Sequence, residues 1–348
     1  MNPPPTDPPS RSVRVLHAWG WLLLPVACHT GFSWIGFNPT DDGWLQAVAR
    51  RLLDGEVPHR DFIFVRPALS ALLQVPVVWL GGDHVIWLSR LWGWLTLAAV
   101  CWIWSGRVVG PGTSWRMRSG LYAGALLLCA HTFPIMAWHS IDGMLLASLA
   151  VALAGRGTVW SLRAAFFIAG LAALCRQNFA LFAPLLLLGT GGRWRDWLVA
   201  GFSAAVPPLL YGVWMATTGG LHDFISQVWA VSGSFGSVGV RRFVEEPRLA
   251  AGLLAGLLAA GVLVRRSPRA PGFRRWLAAG LFLGAGGYLA GALWLNPIAY
   301  LAATFVLFGL VLGLSLVALA RGVPAGDRLT LVAGAGLAWV TAISIGYN

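Results

Sequence analysis

Apolar residues fall in long runs broken by short polar stretches, and the runs are too long and too uninterrupted for a soluble fold. A stretch of about 17–25 apolar residues crosses a bilayer as one helix. The run from Val13 to Ile35 is the first of this kind, and further spans fall near 83–104, 119–137, 142–154, 164–175, 179–190, 198–217, 248–264, 276–293, 298–320 and 329–346. The pattern predicts an all-α polytopic membrane protein with about eleven transmembrane or partly spanning helices. Residues 1–12 are rich in proline and polar groups, which predicts a disordered cytoplasmic N-terminus, and 13–348 read as a single transmembrane domain. Three runs, 142–154, 164–175 and 179–190, are short for the hydrocarbon core, about 18–20 Å as helix against roughly 30 Å. They read as short helices around a water-filled dip, with 164–175 and 179–190 forming a hairpin tipped by Arg176; one long buried span through Arg176 is the alternative. The run 67–81, interrupted by Pro67 and Pro76, reads as an interfacial helix at the end of a first extracytoplasmic loop, 37–82.

Charge then gives the chain a direction. There is no lysine, and with the N-terminus in the cytoplasm 16 of the 25 arginines fall in cytoplasmic segments, together with only Asp7, Asp196 and Asp327. An excess of positive residues on the cytoplasmic side sets orientation, so the N-terminus is expected inside, the C-terminus outside, and the chain in the cell (inner) membrane. Composition agrees: 57% of residues are hydrophobic and 11% are charged, against roughly 25% charged in soluble domains. The net charge of +12 sits in short loops rather than on a face or stripe, which excludes a nucleic-acid partner. Many of the twenty tryptophans sit near span ends, where an apolar ring with a polar N–H is at home. Cys28, Cys101, Cys129 and Cys175 lie in apolar runs without metal-ligand spacing and read as small buried hydrophobes. No phosphate loop, dinucleotide fingerprint or zinc motif occurs, so no cofactor is indicated; a divalent cation on the acidic pair described next is compatible with the sequence.

Candidate chemistry concentrates in the first outside loop, which holds five of the thirteen acids. Asp41 and Asp42 precede Trp44, Leu45, Val48 and Leu52 at helical spacing, and Gly55 closes the helix as a C-terminal glycine does. The plainer reading makes one aspartate a helix cap and the other a solvated charge. The sharper one makes the pair a general base or a cation ligand at the membrane surface. The ordered set Asp41-Asp42-Gly43, Ala49-Arg50-Arg51-Leu52-Leu53-Asp54-Gly55-Glu56-Val57-Pro58, Arg60-Asp61-Phe62 and Arg66-Pro67 resembles the first extracytoplasmic loop of the C-type (GT-C) membrane glycosyltransferases, especially bacterial proteins similar to protein O-mannosyltransferases and lipid A aminoarabinose transferases.

That resemblance implies transfer of one sugar, with inversion, from a polyprenyl-phosphate donor to a lipid, glycan or protein acceptor outside the cytoplasm. It implies that Asp42, or Asp41, acts as base on the acceptor and that Asp142, in His139-Ser140-Ile141-Asp142-Gly143, is a second acid at the start of the fourth span. Arg66 corresponds to the basic residue that holds the donor phosphate, although here Arg66-Pro67-Ala68 lacks the second proline of the usual element. In related sequences the Ser-x-Gly-Tyr string seen at Ser344–Tyr347 looks internal, which implies that the chain is either truncated at its C-terminus or unusually short. Physical chemistry singles out Arg60, Arg66, Arg176 and the pair Arg241 and Arg242 as outside cations for a lipid phosphate, which needs positive charge rather than a general acid. Asp61, His139, Gln177 and Asn178 are candidate substrate contacts, and serines 232, 234 and 237 mark a flexible loop able to cover a site. Plainer roles exist for each: headgroup contact or local pairing for Arg60 and Arg241–Arg242, a snorkelling hairpin tip for Arg176, a structural imidazole for His139. A transporter or flippase for lipid-linked sugars is the competing function; it calls for ionisable groups at the bilayer midplane and repeated halves, whereas the acids here crowd into one loop.

Overall fold

A computed structural model describes residues 11–36, 41–109, 115–132, 136–192, 194–232, 297–320 and 325–345, with isolated positions between 245 and 295. The expected spans at 248–264 and 276–293, the Arg241–Arg242 pair, Ser234, Ser237, residues 1–10 and the end of the Ser-x-Gly-Tyr string lie outside the described residues. Among the described residues every regular element is a helix. The chain forms two compact units, Met1–Ala183 with Gly192–Ile225, and Pro184–Gly191 with Ser226–Asn348.

The first unit holds α1 (Arg11–Phe32), α2 (Trp44–Leu53), α3 (Leu69–Gly81), a 3-10 turn Gly82–His84, α4 (Val85–Val109), α5 (Trp115–Thr132), α6 (His139–Ala154), α7 (Val159–Cys175), a second 3-10 turn Gln177–Leu181, and α9 (Trp194–Thr217), which follows α8 (Phe182–Thr190). Among the described residues two helices are long and apolar enough to cross a membrane: the run Leu69–Val108, in which α3 and α4 are joined through the first 3-10 turn, and α9. The helix expected at 67–81 is therefore present, and α1 begins at Arg11, inside the segment expected to be disordered. Helix α6 packs between α4 and α7, α7 packs on α9, α1 lies against α4 and α5, and α2 lies on α3.

Two glycines permit the closest of these approaches. A Cβ on Gly93 of α4 would stand 2.8 Å from the Met136 carbonyl, and one on Gly170 of α7 would stand 2.2 Å from the Ala204 carbonyl of α9. Neither leaves room for a side chain, so α4 meets the segment that leads into α6, and α7 meets α9, backbone to backbone.

Helix α7 starts five residues earlier than the apolar pattern indicates. Thr158 and Ser161 form a capping box there, each side chain serving the other's backbone N–H, and this start signal outranks the polarity of Arg163, which lies inside the helix. Helix α6 likewise extends back to His139, so these two limbs have 16 and 17 residues. At Arg176 the backbone leaves the helix for an extended conformation, φ −158° and ψ 131°, which rules out one continuous helix through that residue. The stretch expected as a flexible Ser/Gly loop begins instead with α10 (Leu221–Ser232). Its helical spacing of Leu221, Phe224 and Val228 with Asp223 in the first turn was outweighed in the sequence by the serines and glycines that follow.

The second unit contains α11 (Pro297–Ala320) and α12 (Ala325–Ile345), which pack together. The Trp339 indole packs closely on Gly309, and Leu185 packs on Gly336, where a Cβ would come within 2.9 Å of the Leu185 Cδ1.

Candidate active site

The acidic pair sits in the turn that starts α2. Gly43, not an aspartate, occupies the N-cap, with φ 95° and no side-chain cap of its own, so the cap role considered for the acids falls to a residue in a left-handed conformation that glycine adopts freely. Asp42 is clamped by Arg90 of α4, Nη2 to Oδ2 at 2.7 Å, with both side chains 5% exposed. The same guanidinium donates to the carbonyls of Ser33, Ile35 and Gly36 at 2.6, 3.0 and 3.0 Å. Arg90 thus closes the C-terminal end of α1, which would otherwise leave carbonyls unpaired, and fixes the acidic turn to α4. Asp41 is half-buried beside it.

Helix α2 presents Leu45, Gln46, Val48 and Ala49 inward. Its Gln46 Nε2 donates to Gln74 Oε1 of α3 at 3.2 Å and to Ser89 Oγ of α4, so a buried polar chain sets the height of α2 against both helices. The helix ends as expected at Gly55, φ 86°, with Gly55 and Glu56 N–H groups returning to Leu52 and Arg51 carbonyls.

Beyond Gly55 the loop is folded on itself. Arg60 meets Asp61 with two 2.8 Å hydrogen bonds and reaches the Thr218 carbonyl at the end of α9 with a third at 2.8 Å. Asp61 Oδ2 also accepts from Val57 N at 2.7 Å. The Arg60 guanidinium, helped by that backbone N–H, holds the Asp61 carboxyl down at about 2. His59 stands at φ 71°, a strained conformation for a residue with a Cβ, and is held by a 2.9 Å hydrogen bond between Nε2 and Tyr211 Oη of α9. Tyr211 Oη in turn accepts from Ala68 N at 3.2 Å. These ties pin both ends of the segment that carries Arg66.

Arg66 is buried, at 7% exposure, between two indoles: its guanidinium carbon lies 5.5 Å from the Trp44 ring and 5.4 Å from the Trp138 ring, within cation–π range. Trp44 opens α2 one turn after Asp41, and Trp138 is the N-cap of α6. Arg176, 4% exposed, reaches the same turn of α6 from the end of α7, Nη1 to Ser140 Oγ at 2.7 Å. Two guanidinium groups therefore converge on the N-terminal turn of α6, whose free N–H groups already favour an anion.

Asp142, in that turn, is 1% exposed and accepts from Trp92 Nε1 at 3.0 Å through Oδ1. His139 is fully enclosed by the rings of Trp44, Phe64 and Trp138. Gln177 donates to the Val65 carbonyl at 3.4 Å, and Asn178 follows it in the 3-10 turn. Phe179 of that turn lies so close to Gly143 that no Cβ fits there, which seats the turn against α6.

Of the residues singled out in the sequence, the structure gathers Arg66, His139, Asp142, Arg176 and Gln177 around one helix turn, and joins Asp41 and Asp42 to it through Trp44. Arg60 and Asp61 stand apart, committed to each other and to Thr218. Arg90, Trp44, Trp92, Trp138, Ser140 and Tyr211 were not singled out. Arg90 had a readable signal: it is an arginine in the middle of an apolar run, and an ionisable residue there marks a site or a buried pair. Trp44 and Trp138 had none, because tryptophan at a span end has an ordinary interfacial use. Among the described residues no three His, Cys, Asp or Glu side chains are grouped to hold a metal ion.

No family model matches this chain, no curated protein matches it, and no solved structure matches it.

Proposed function

We propose that this chain is a polytopic membrane glycosyltransferase that moves a sugar from a polyprenyl-phosphate donor to an acceptor on the extracytoplasmic side. The observation that carries the reading is the convergence of Arg66 and Arg176, both buried, on the first turn of α6, one helical turn of α2 away from the acidic pair. A phosphate placed there gains both guanidinium groups and the helix N-terminus. The surroundings suit a lipid. Trp19, Leu23, Phe32, Trp34, Phe202 and Leu209 are among many large apolar side chains exposed on the outside of the first unit, a surface that water disfavours and acyl chains accept.

The chemistry follows from charge. The acceptor oxygen attacks the anomeric carbon as the bond from that carbon to the phosphate oxygen breaks, and the electron pair leaves with the phosphate. Arg66 and Arg176 stabilise the charge that gathers on the departing phosphate. The acceptor proton passes to a carboxylate on the water side. Both oxygens of Asp42 face Arg90, so Asp42 acts as the anchor of the acidic turn and the half-buried Asp41 as the base. This reverses the order that the motif alone implies. Attack from the face opposite the phosphate inverts the anomeric configuration.

The orientation belongs to the same proposal: N-terminus in the cytoplasm, about eleven crossings, the α2 turn outside. The experiment is incubation of the purified protein with a panel of polyprenyl-phospho-sugars, following release of polyprenyl phosphate. Turnover lost in Asp41→Asn supports the reading. Movement of the intact lipid-linked sugar across a bilayer with no cleavage assigns transport instead.

A further inference from the structure

Buried polar atoms are nearly always hydrogen-bonded, and each exception needs a cause. In the first unit several of the exceptions collect at one place, the first turn of α6. Both ring nitrogens of His139 are enclosed with no partner among the described residues, and so is Gln177 Oε1. The Ser70 hydroxyl lies beside the Asp142 carboxylate without closing a hydrogen bond of good geometry, so Asp142 Oδ2 also has no partner among the described residues. His139 and Asp142 are 0% and 1% exposed, so water does not meet this need from outside.

The three residues share a junction. His139 and Asp142 are three apart in the first turn of α6, which puts them on one face. Gln177 follows Arg176, whose guanidinium touches that turn at Ser140, and its amide donates to Val65, the neighbour of Arg66. The indoles of Trp44 and Trp138 wall the imidazole. Two cations, a set of unmet hydrogen bonds and flat aromatic faces thus meet within a few residues.

We infer that His139, Asp142 and Gln177 form the subsite for the sugar ring, and that it takes a neutral sugar with neighbouring free hydroxyls. The inference rests on the proposed function and adds the class of sugar. The open positions are four acceptors (one imidazole nitrogen, Asp142 Oδ2, Gln177 Oε1 and the Ser70 oxygen) against two donors, the other imidazole nitrogen and the Ser70 O–H. A ligand that fills them brings more donors than it needs acceptors, which sugar hydroxyls do, each with one O–H. A hexuronate adds only acceptor oxygens and a negative charge beside Asp142, while the two guanidinium groups are taken by the phosphate. Apolar C–H faces of a sugar ring lie against indole as other apolar surface does.

The test measures binding of two ligands to the full-length chain in detergent: a short-chain polyprenyl-phospho-hexose and the same polyprenyl phosphate without its sugar. Gln177→Met and His139→Phe keep shape while removing hydrogen-bonding atoms. Each is expected to weaken the hexose lipid about tenfold, as the loss of a buried hydrogen bond does, and to leave the sugar-free lipid within about twofold. The parent is expected to hold the hexose lipid at least about tenfold more tightly than the hexuronate lipid, a ratio set by unpaired buried polar groups. Equal loss of both lipids in both variants, at unchanged melting temperature, or no loss of either, overturns the sugar subsite while the phosphate site stands. A parent that favours the hexuronate overturns the sugar class. A parent that binds neither lipid overturns the proposed function together with this inference.

Discussion

Charge is used in two opposite ways within about a hundred residues of this chain. In the turn after α2, arginines and acids neutralise each other at the surface: Arg50 with Asp54, Arg51 with Glu56, Arg60 with Asp61, each pair with substantial exposure. At the first turn of α6 the charges are buried, and their neighbours are indoles, a serine hydroxyl and an enclosed imidazole. Surface pairs contribute about 0–1 kcal/mol each, so the first region uses charge to hold a shape that any of several sequences could hold. Burying an ion costs on the order of several kcal/mol, so the second region holds its charge at an expense that the first does not. Abundance of charged residues marks the first place in the sequence; the expense of burying them marks the second.

The Arg90–Asp42 pair stands between these cases and gives the largest expected effect. Arg90→Ala removes the ion pair to Asp42 and the guanidinium donor to three carbonyls at the end of α1. Removing one partner of a buried pair costs about 3–5 kcal/mol. The variant is expected to melt well below the parent in detergent, or not to accumulate. Parent-like melting separates the acidic turn from the fold and returns Asp42 as a candidate base.

Catalysis comes next. Asp41→Asn is expected to lower turnover by about 10²–10⁴-fold, the usual contribution of a general base, with melting unchanged. Asp42→Asn is expected to lose stability together with turnover. If Asp41→Asn transfers sugar at the parent rate, Asp41 is not the base. For Arg66, replacement by lysine keeps a point charge and loses the planar guanidinium that lies between two indoles. Arg66→Lys is therefore expected to keep part of the donor affinity and Arg66→Ala to lose it, measured as KM for the donor; equal KM in both excludes Arg66 from the phosphate site.

Much of the fold was legible because apolar run length and caps are local. Helices α1, α3, α4 and α9 lie where the runs put them, and Gly55 closes α2 as its position predicted. The misplacements also had local causes: the Thr158–Ser161 capping box extends α7 past Arg163, and α10 is hidden by the serines after it. The site was legible as residue types and not as partnerships. Asp41, Asp42, Arg66, Asp142 and Arg176 stand out in an apolar chain because charge there is rare. That Asp42 belongs to Arg90, 48 residues away, and Arg66 to Trp44 and Trp138, is a long-range fact that no period or spacing carries.

Acid tests the surface region. The folded Asp61 carboxyl titrates at about 2 because Arg60 and the Val57 N–H favour its charged form, against about 4 for a free aspartate. A carboxyl depressed on folding adds stability that is present above the unfolded value and fades as pH falls from about 4 through about 2. Hydrogen-exchange protection at Val57 N–H is expected to hold from pH 8 to 5 and to fall below about 4. Loss of protection already near neutral pH breaks the assignment of this loop to the Arg60–Asp61 pair.

The smallest effect is expected at Arg50 and Asp54, and it is the sharpest check on the contrast between the two regions. Their side chains are 67% and 51% exposed and meet at 3.2 Å across one helical turn. Water already solvates both charges, and holding two long side chains in one geometry costs entropy, so the coupling between them should be about 0.3–0.5 kcal/mol. A double-mutant cycle with Arg50→Ala and Asp54→Ala, read by thermal melting in detergent, isolates that coupling from the single losses. Raising salt should reduce it further, since exposed charges are screened. Arg51→Ala provides the internal control, because Arg51 also stacks on Phe62 at 4.1 Å and donates to the Asp61 carbonyl; its loss should exceed that of Arg50. A coupling of several kcal/mol at Arg50–Asp54 would show that the α2 turn stores energy in its surface pairs, and the division between charges that shape the loop and charges that serve the site would fail at its simplest point.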